Sequence, residues 1–151
     1  MKPPFRIVVT GSRHWTDAAT IHRKLRYTVL TALADSADEV VIIQGGAEGA
    51  DAIALAWAKK LGLPHETFEA RWAVPPRRGD PAGPERNKRM IDAGAHIVLA
   101  FPFGDRTTSP GTWNCIDLAA VRGIPVALCA KARPTSPADV AVERQPNGGN
   151  V

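Results

Sequence analysis

Strand-like and helix-like segments alternate along this 151-residue chain. That alternation predicts an α/β fold: one parallel sheet of about five strands with helices on both faces. Three observations carry the prediction. Short unbroken apolar runs such as Val40-Val41-Ile42-Ile43 suit strands buried on both faces. The longer segments between such runs repeat apolar residues at helical spacing. Glycine-bearing turns follow the first and second runs, where a strand would lead into a helix.

Ile7-Val8-Val9-Thr10 forms the first strand and Gly11-Ser12-Arg13 its exit turn. A helix is predicted over 17–34, capped by Thr16 or Asp17, with Ile21, Leu25, Val29 and Leu33 on its core face. The second strand covers 40–44. The turn Gly45-Gly46-Ala47-Glu48-Gly49-Ala50-Asp51 leads from it into a helix over 52–61, ended by Gly62 with Pro64 just beyond. A third, less apolar strand over 65–69 belongs nearer an edge. Pro75, Pro76, Pro81 and Pro84, with Gly79 and Gly83, make 70–84 a long surface loop. A short helix over 85–93, a strand over 96–101, a loop over 102–110, a helix over 111–122 and a strand over 125–129 complete the alternation. The expected strand order is 3-2-1-4-5. The domain spans 1–130, and the Pro-, Ser-, Asn- and Gly-rich segment 131–151 is expected to be a mobile tail, with at most a brief helix around 138–142.

Composition narrows the class. With 44% hydrophobic and 23% charged residues the chain reads as one globular domain, not as a disordered or membrane-spanning protein. The formal net charge of +4 fits an anionic ligand but does not by itself indicate DNA binding. Cys115 and Cys129 lie in apolar surroundings without CxxC spacing, and are expected to be buried free thiols in a reducing cytosol. Met1-Lys2-Pro3-Pro4-Phe5 runs straight into the first strand, so no signal peptide is expected, and no apolar run approaches membrane-spanning length. A cytoplasmic location with no membrane partner follows. His14, His22, His65 and His96 show no ligand spacing, so neither a metal nor a resident cofactor is expected.

In an open α/β sheet, ligands bind beyond the carboxyl ends of the strands where the strand order reverses. Here that point falls between the first and fourth strands, and three glycine-bearing loops converge on it. Glycines admit close backbone approach, and helix starts offer unpaired N–H groups with a positive dipole end. The ligand-binding candidates are Gly11, Ser12 and Arg13; Gly45, Gly46, Ala47, Gly49 and Asp51; Arg86 and Asn87; and Gly111, Thr112 and Trp113. Each has a plainer alternative. Ser12 is either a phosphate ligand or a turn residue, and Arg13 a ligand or a solvated charge. Asp51 either accepts from ribose hydroxyls or caps the second helix, and Gly111-Thr112 either cradles phosphate or simply starts a helix. Glu48 would repel phosphate and should point away or meet a sugar. The basic residues Arg71, Arg77, Arg78, Arg86, Lys88 and Arg89 form either an electropositive lid or a solvated loop. Arg86 is read as a ligand contact because its helix should face the crevice, Arg77 and Arg78 as solvated. Trp72 and Trp113 are either base-stacking or core and interface residues, with Trp113, directly after Gly111-Thr112, the better stacking candidate. Trp15 and Trp57 are expected in the core or an interface.

The stretches Val9-Thr10-Gly11-Ser12-Arg13, Gly45-Gly46-Ala47-Glu48-Gly49-Ala50-Asp51, Ala70-Arg71-Trp72, Gly83-Pro84-Glu85-Arg86-Asn87-Lys88-Arg89-Met90, and Ala100-Phe101-Pro102 followed by Gly111-Thr112 carry a resemblance. In this order the chain resembles the SLOG superfamily, which joins the DprA (Smf) proteins and the Lonely Guy enzymes, and within it the stand-alone YspA-like (YpsA-related) branch. The resemblance implies a Rossmann-like sheet and a nucleotide-derived ligand such as an ADP-ribose-like molecule. Lonely Guy enzymes cleave the N-glycosidic bond of nucleoside 5′-monophosphates. Their arginine and methionine element matches Arg86 and Met90, and their Gly-Thr element matches Gly111-Thr112. Their glutamate position is held by Cys115. Asp117 lies two residues on, about 200° around a helix, so it does not simply replace that carboxylate. If the protein is a hydrolase, Arg86 and Asp117 are the catalytic candidates.

Three functions compete. The first is a binding module that senses, carries or sequesters a nucleotide-derived small molecule. The second is a nucleotide N-glycosidase at the same crevice, disfavoured by the missing glutamate. The third is DprA-like single-stranded DNA binding, suggested by the basic loop and tryptophans but disfavoured by modest charge, so nucleic acid is not the expected partner. The likeness to Lonely Guy proteins also implies a homodimer.

Overall fold

A computed structural model describes residues 2–132. The elements run β1 (Phe5–Gly11), α1 (Ala18–Ala34), β2 (Val40–Gln44), α2 (Ala50–Lys60), β3 (His65–Thr67), α3 (Ala82–Asp92), β4 (Ile97–Phe101), α4 (Pro110–Val121) and β5 (Val126–Leu128). All strand pairs are parallel, in the order β3-β2-β1-β4-β5. The open α/β sheet and its strand order are those the sequence predicts.

Alternation along the central strands sends side chains into two cores. Ile7 and Val9 of β1, Ile42 of β2 and Leu99 of β4 meet Ile21, Leu25 and Val29 of α1 and Ala54 and Ala58 of α2. Val8, Val41, Ile43 and Val98 point the other way, against Met90 and Ile91 of α3 and Cys115 and Ala119 of α4. Burial on both faces is why these strands read as continuous apolar runs. At the amino ends of the strands, Arg6 donates to both Glu66 carboxylate oxygens at 3.0 and 3.1 Å and to the Gly94 carbonyl at 2.8 Å. This staple ties edge strand β3 and the end of α3 to β1.

Several boundaries move from their predicted places. In α1 the fourth core residue is Ala32, and Leu33 is exposed. A strict four-residue step drifts about 40° per step against 3.6 residues per turn, so the stripe must take a three-residue step after Val29. Helix α2 begins at Ala50, whose N–H donates to the Ser12 carbonyl at 3.2 Å. Helix α3 begins at Ala82 rather than in the 85–93 range, with Gly83 and Pro84 inside its first turn. Proline is tolerated there because first-turn N–H groups have no intrahelical partner to lose. Asp80 accepts from the Ala82 N–H at 3.0 Å and sets that start. Strand β3 stops at Thr67, short of the predicted 69. Cys115 and Cys129 are free thiols, but only Cys115 is buried; Cys129 follows the short edge strand β5 and is half-buried.

Of the expected tail, residues 133–151 and the brief helix at 138–142 lie outside the described residues. Lys131, the first residue of that segment, is held by contacts with the domain. Its ammonium donates to Asp17 at 2.8 Å and lies 5.0 Å from the Trp15 ring, and its backbone bridges to Phe103. No described helix is long and apolar enough to cross a membrane.

Trp15 anchors the turn after β1. It is 2% exposed, meets the rings of Phe101 and Phe103, and donates its indole N–H to the Asp17 carbonyl at 3.0 Å. Trp15→Ala should therefore cost roughly 3–5 kcal/mol of stability in urea unfolding, and Trp15→Phe distinctly less. Equal midpoints for Trp15→Ala and wild type would contradict this anchoring role.

Candidate functional site

The loops at the carboxyl ends of β1, β2 and β4 meet at the reversal between β1 and β4, and a buried carboxylate organises them. Asp51, in the first turn of α2, is 5% exposed. One carboxylate oxygen accepts from the Gly45 N–H at 3.1 Å and the Ala47 N–H at 3.3 Å. The Gly46 N–H donates to the side-chain oxygen of fully buried Gln44 at 2.6 Å, and Gln44 in turn donates to Thr67 at 2.5 Å. The amides of Gly45, Gly46 and Ala47, expected to face a ligand, are thus directed to Asp51 and Gln44. The physical reason is that a buried carboxylate needs donors, and the turn above it supplies them. Asp51 does more than cap the helix, since one of its carboxylate oxygens is committed to the amides of the turn.

Arg86 closes the turn from the other side. Its guanidinium donates to the Gly45 carbonyl and, through Nε, to Asn87 Oδ1 at 2.9 Å. Asn87 is 3% exposed and donates to the Gly111 carbonyl at 3.1 Å and to Asn114 at 3.0 Å. One chain of contacts therefore runs from the β2 turn through α3 to the start of α4. Burial pushes the Asp51 carboxyl up to about 6, opposed by the amides of Ala47 and Gly45 and by the charges of Arg86 and Arg13. Burial also holds the Arg86 guanidinium below its ordinary value, with the Asp51 charge opposing. Burial pushes the Cys115 thiol up to about 12, despite a hydrogen bond with Thr10, so it is not a thiolate nucleophile.

Other amides of the crevice are unengaged, that of Thr112 in a residue only 4% exposed. Among the described residues, no hydrogen bond engages the N–H groups of Glu48, Gly49, Gly111 or Thr112. Helices α2 and α4 have no side-chain cap, because Gly49 lacks a side chain and the Ser109 hydroxyl is turned to Phe103. Gly49 is required where it stands. Its φ is +71°, and a Cβ there would run into the carbonyl oxygens of Ser12 and Arg13. Gly11 sits as tightly, its missing Cβ 2.5 Å from that of Ala50.

Ser12 has the turn role: its hydroxyl accepts from the His14 N–H at 3.1 Å and its carbonyl from Trp15 and Ala50. Arg13 is exposed, with its guanidinium 5.6 Å from the Trp72 ring. Trp113 faces away from α3, toward the Gly104 carbonyl at 3.4 Å, with Arg106 5.1 Å from its ring. Asp117 is exposed and pairs with Arg106, so it does not join the Asp51 and Arg86 cluster. Glu48 is exposed, and no group of three or more His, Cys, Asp or Glu among the described residues is placed to hold a metal. Gln44, Thr10, Asp80 and Asn114 were not candidates in the sequence. Gln44 carried a signal, a lone polar residue ending an apolar strand just before Gly45-Gly46. A hollow of about 400 Å³ lined by Phe5, Tyr27, Thr31 and His96 lies at the opposite, amino-terminal end of the strands, where no helix N-termini converge.

The Asp51 carboxyl yields a pH prediction. Its folded value, about 6, lies above its ordinary 3.8. Its stability contribution is therefore complete below the ordinary value and lost as pH rises through about 6. An asparagine side chain at this position would keep an acceptor for both amides without that loss. Asp51→Asn should gain on wild type between about pH 4 and about pH 7 by ~3 kcal/mol, measured by urea unfolding at each pH. Parallel pH profiles for the two proteins would refute the burial of an ionised carboxylate.

The sequence model of the YspA, cpYpsA-related SLOG family matches residues 5–74, which span β1 through β3 and the turn containing Asp51. The Gene 61 protein of Mycobacterium phage D29 is 39% identical over 130 residues, covering 80% of this chain and 93% of the phage protein. A solved structure of DNA processing protein A (DprA) from Streptococcus pneumoniae overlays with a TM-score of 0.46 at 17% identity, across 93% of this chain. This chain spans 62% of that protein's length. The family match falls on the turns after β1 and β2, two of the three that build the crevice, and the phage relative carries the likeness over 80% of the chain: the chain belongs to the YspA, cpYpsA-related SLOG family.

Proposed function

We propose that the crevice binds a nucleotide-derived small molecule through its phosphate, as a module that senses, carries or sequesters the ligand. One observation carries this reading: the unengaged amides of Glu48 and Gly49 at the entry to α2 and of Gly111 and Thr112 in the first turn of α4 lie at the strand-order reversal, on the loops that Arg86 and its neighbour Asn87 tie together. Helix N-termini attract anions through oriented N–H groups, and an arginine adds a forked donor matched to phosphate oxygens. The phosphate is assigned to the amides of Glu48, Gly49, Gly111 and Thr112, since those of Gly45 to Ala47 are engaged. Family membership supports a nucleotide-related ligand, and an ADP-ribose-like molecule is the reading adopted.

Calorimetry with AMP, ADP and ADP-ribose, alongside mass spectrometry of small molecules released on denaturation, tests this. Arg86→Ala should weaken binding of the preferred ligand at least ~10-fold, the loss of about one charge-assisted contact. Arg86→Lys should fall between, keeping the charge without the fork. Affinity equal to wild type in a folded Arg86→Ala protein, or no binding of any of the three compounds, would overturn the assignment.

The same geometry bears on catalysis. Glycosidic cleavage is normally supported by carboxylates flanking the sugar. Cys115 is a buried neutral thiol, and Asp117 is paired with Arg106 on the outer side of α4. Incubation with AMP should therefore release no adenine by chromatography beyond the uncatalysed background. Turnover that disappears in Arg86→Ala would make the protein a hydrolase.

A further inference from the structure

We propose that Trp72, with Arg13, forms the wall on which the aromatic base of the bound nucleotide stacks. The inference rests on the phosphate site proposed above and adds the element that would recognise the base.

Trp72 lies in the segment between β3 and α3 and is 48% exposed. Two contacts pin that segment. Arg89 of α3 donates to the Glu69 carbonyl at 2.7 Å, and Asp80 accepts from the Ala73 N–H at 2.8 Å while also accepting from Ala82 at the helix start. The indole is seated on α3 itself: a Cβ added at Gly83 would lie 3.3 Å from its outer ring edge. A side chain at 83 would press on that edge and shift the ring by a few tenths of an ångström or more. Gly83 precedes Arg86 by three residues, so both lie on one side of α3, and Arg86 reaches the Gly45 carbonyl from there. Arg13 approaches the same indole from the exit of β1. Trp72 thus joins two of the loops that surround the phosphate site.

The chemistry suits a flat heteroaromatic base. A half-exposed indole held on a pinned segment offers stacking area with little ordering cost on binding. Arg13 would supply a second planar cationic face against the base. Trp113 lacks this setting, because its indole is turned toward Gly104 and Arg106 on the far side of α4.

The test compares AMP with ribose 5-phosphate, which carries the same phosphate and sugar without the base. Calorimetry is run on wild type, Trp72→Ala, Trp72→Phe and Trp113→Phe, with melting curves to establish folding. Stacking on an aromatic side chain is typically worth ~10-fold or more in affinity. Trp72→Ala should weaken AMP binding by about that factor and leave ribose 5-phosphate within about twofold, while Trp72→Phe retains most of the AMP affinity. If Trp72→Ala does not fold, Trp72→Leu and Arg13→Gln carry the comparison, each expected to lose AMP affinity selectively, because leucine fills the space without an aromatic face. Equal losses for both compounds, no loss for either, or loss of the base-dependent gain in Trp113→Phe instead, would overturn the proposal while leaving the phosphate site standing. Wild type that binds neither compound would overturn both together.

Discussion

The burial of the Asp51 carboxylate is the constraint on which the arrangement of the crevice depends. An ionised group removed from water must be surrounded by donors or by opposite charge. Gly45 and Ala47 supply the donors, and Arg86 and Arg13 supply the charge. Meeting those needs fixes the path of the β2 turn and brings α3 against it. The turn is held by an anion that belongs to the protein. The central amides of the turn are thereby satisfied from within, and under the function proposed above a phosphate would be directed to the outer end of the turn and to α4.

This division of labour accounts for residues that a ligand-centred view leaves idle. Gln44 fixes the Gly46 amide and reaches edge strand β3 through Thr67. Asn87 and Asn114 couple α3 to α4, so the two helices that flank the crevice on one face of the sheet are joined by polar contacts at the mouth and apolar ones below it. Cys115 stands over the same region as a neutral group hydrogen-bonded to Thr10. The interior beneath the crevice is thus polar but internally satisfied, and no fully buried side-chain polar atom among the described residues lacks a partner.

The fold was legible because its signals are local and repeated. Apolar runs such as Val40 to Ile43 and the helical spacing of Ile21, Leu25 and Val29 report burial residue by residue. The crevice was legible as a place, since three glycine-bearing loops fall on one side of the strand-order reversal. The allocation of individual groups within it was not. Whether the Gly45 amide faces a ligand or Asp51 depends on the angle at which α2 leaves the turn, and that angle is set by Ala50 seating on the Ser12 carbonyl. Trp113 adjoins the Gly-Thr pair in sequence, yet one residue turns a helix by about 100° and carries its indole to the other side of α4. Trp72 is far in sequence from all three glycine-bearing turns of the crevice, and the packing of its ring on Gly83 places it beside α3.

The contact of Lys131 with Asp17 and Trp15 has a practical consequence for handling this protein. It fastens the backbone beside the exits of β1 and β4, so a fusion joined directly after this point would emerge on the rim of the crevice. Phe5, at the start of β1, lies at the far end of the sheet, stacked on His96. Surface immobilisation or a reporter domain is better attached ahead of β1, where it leaves the mouth open to solvent.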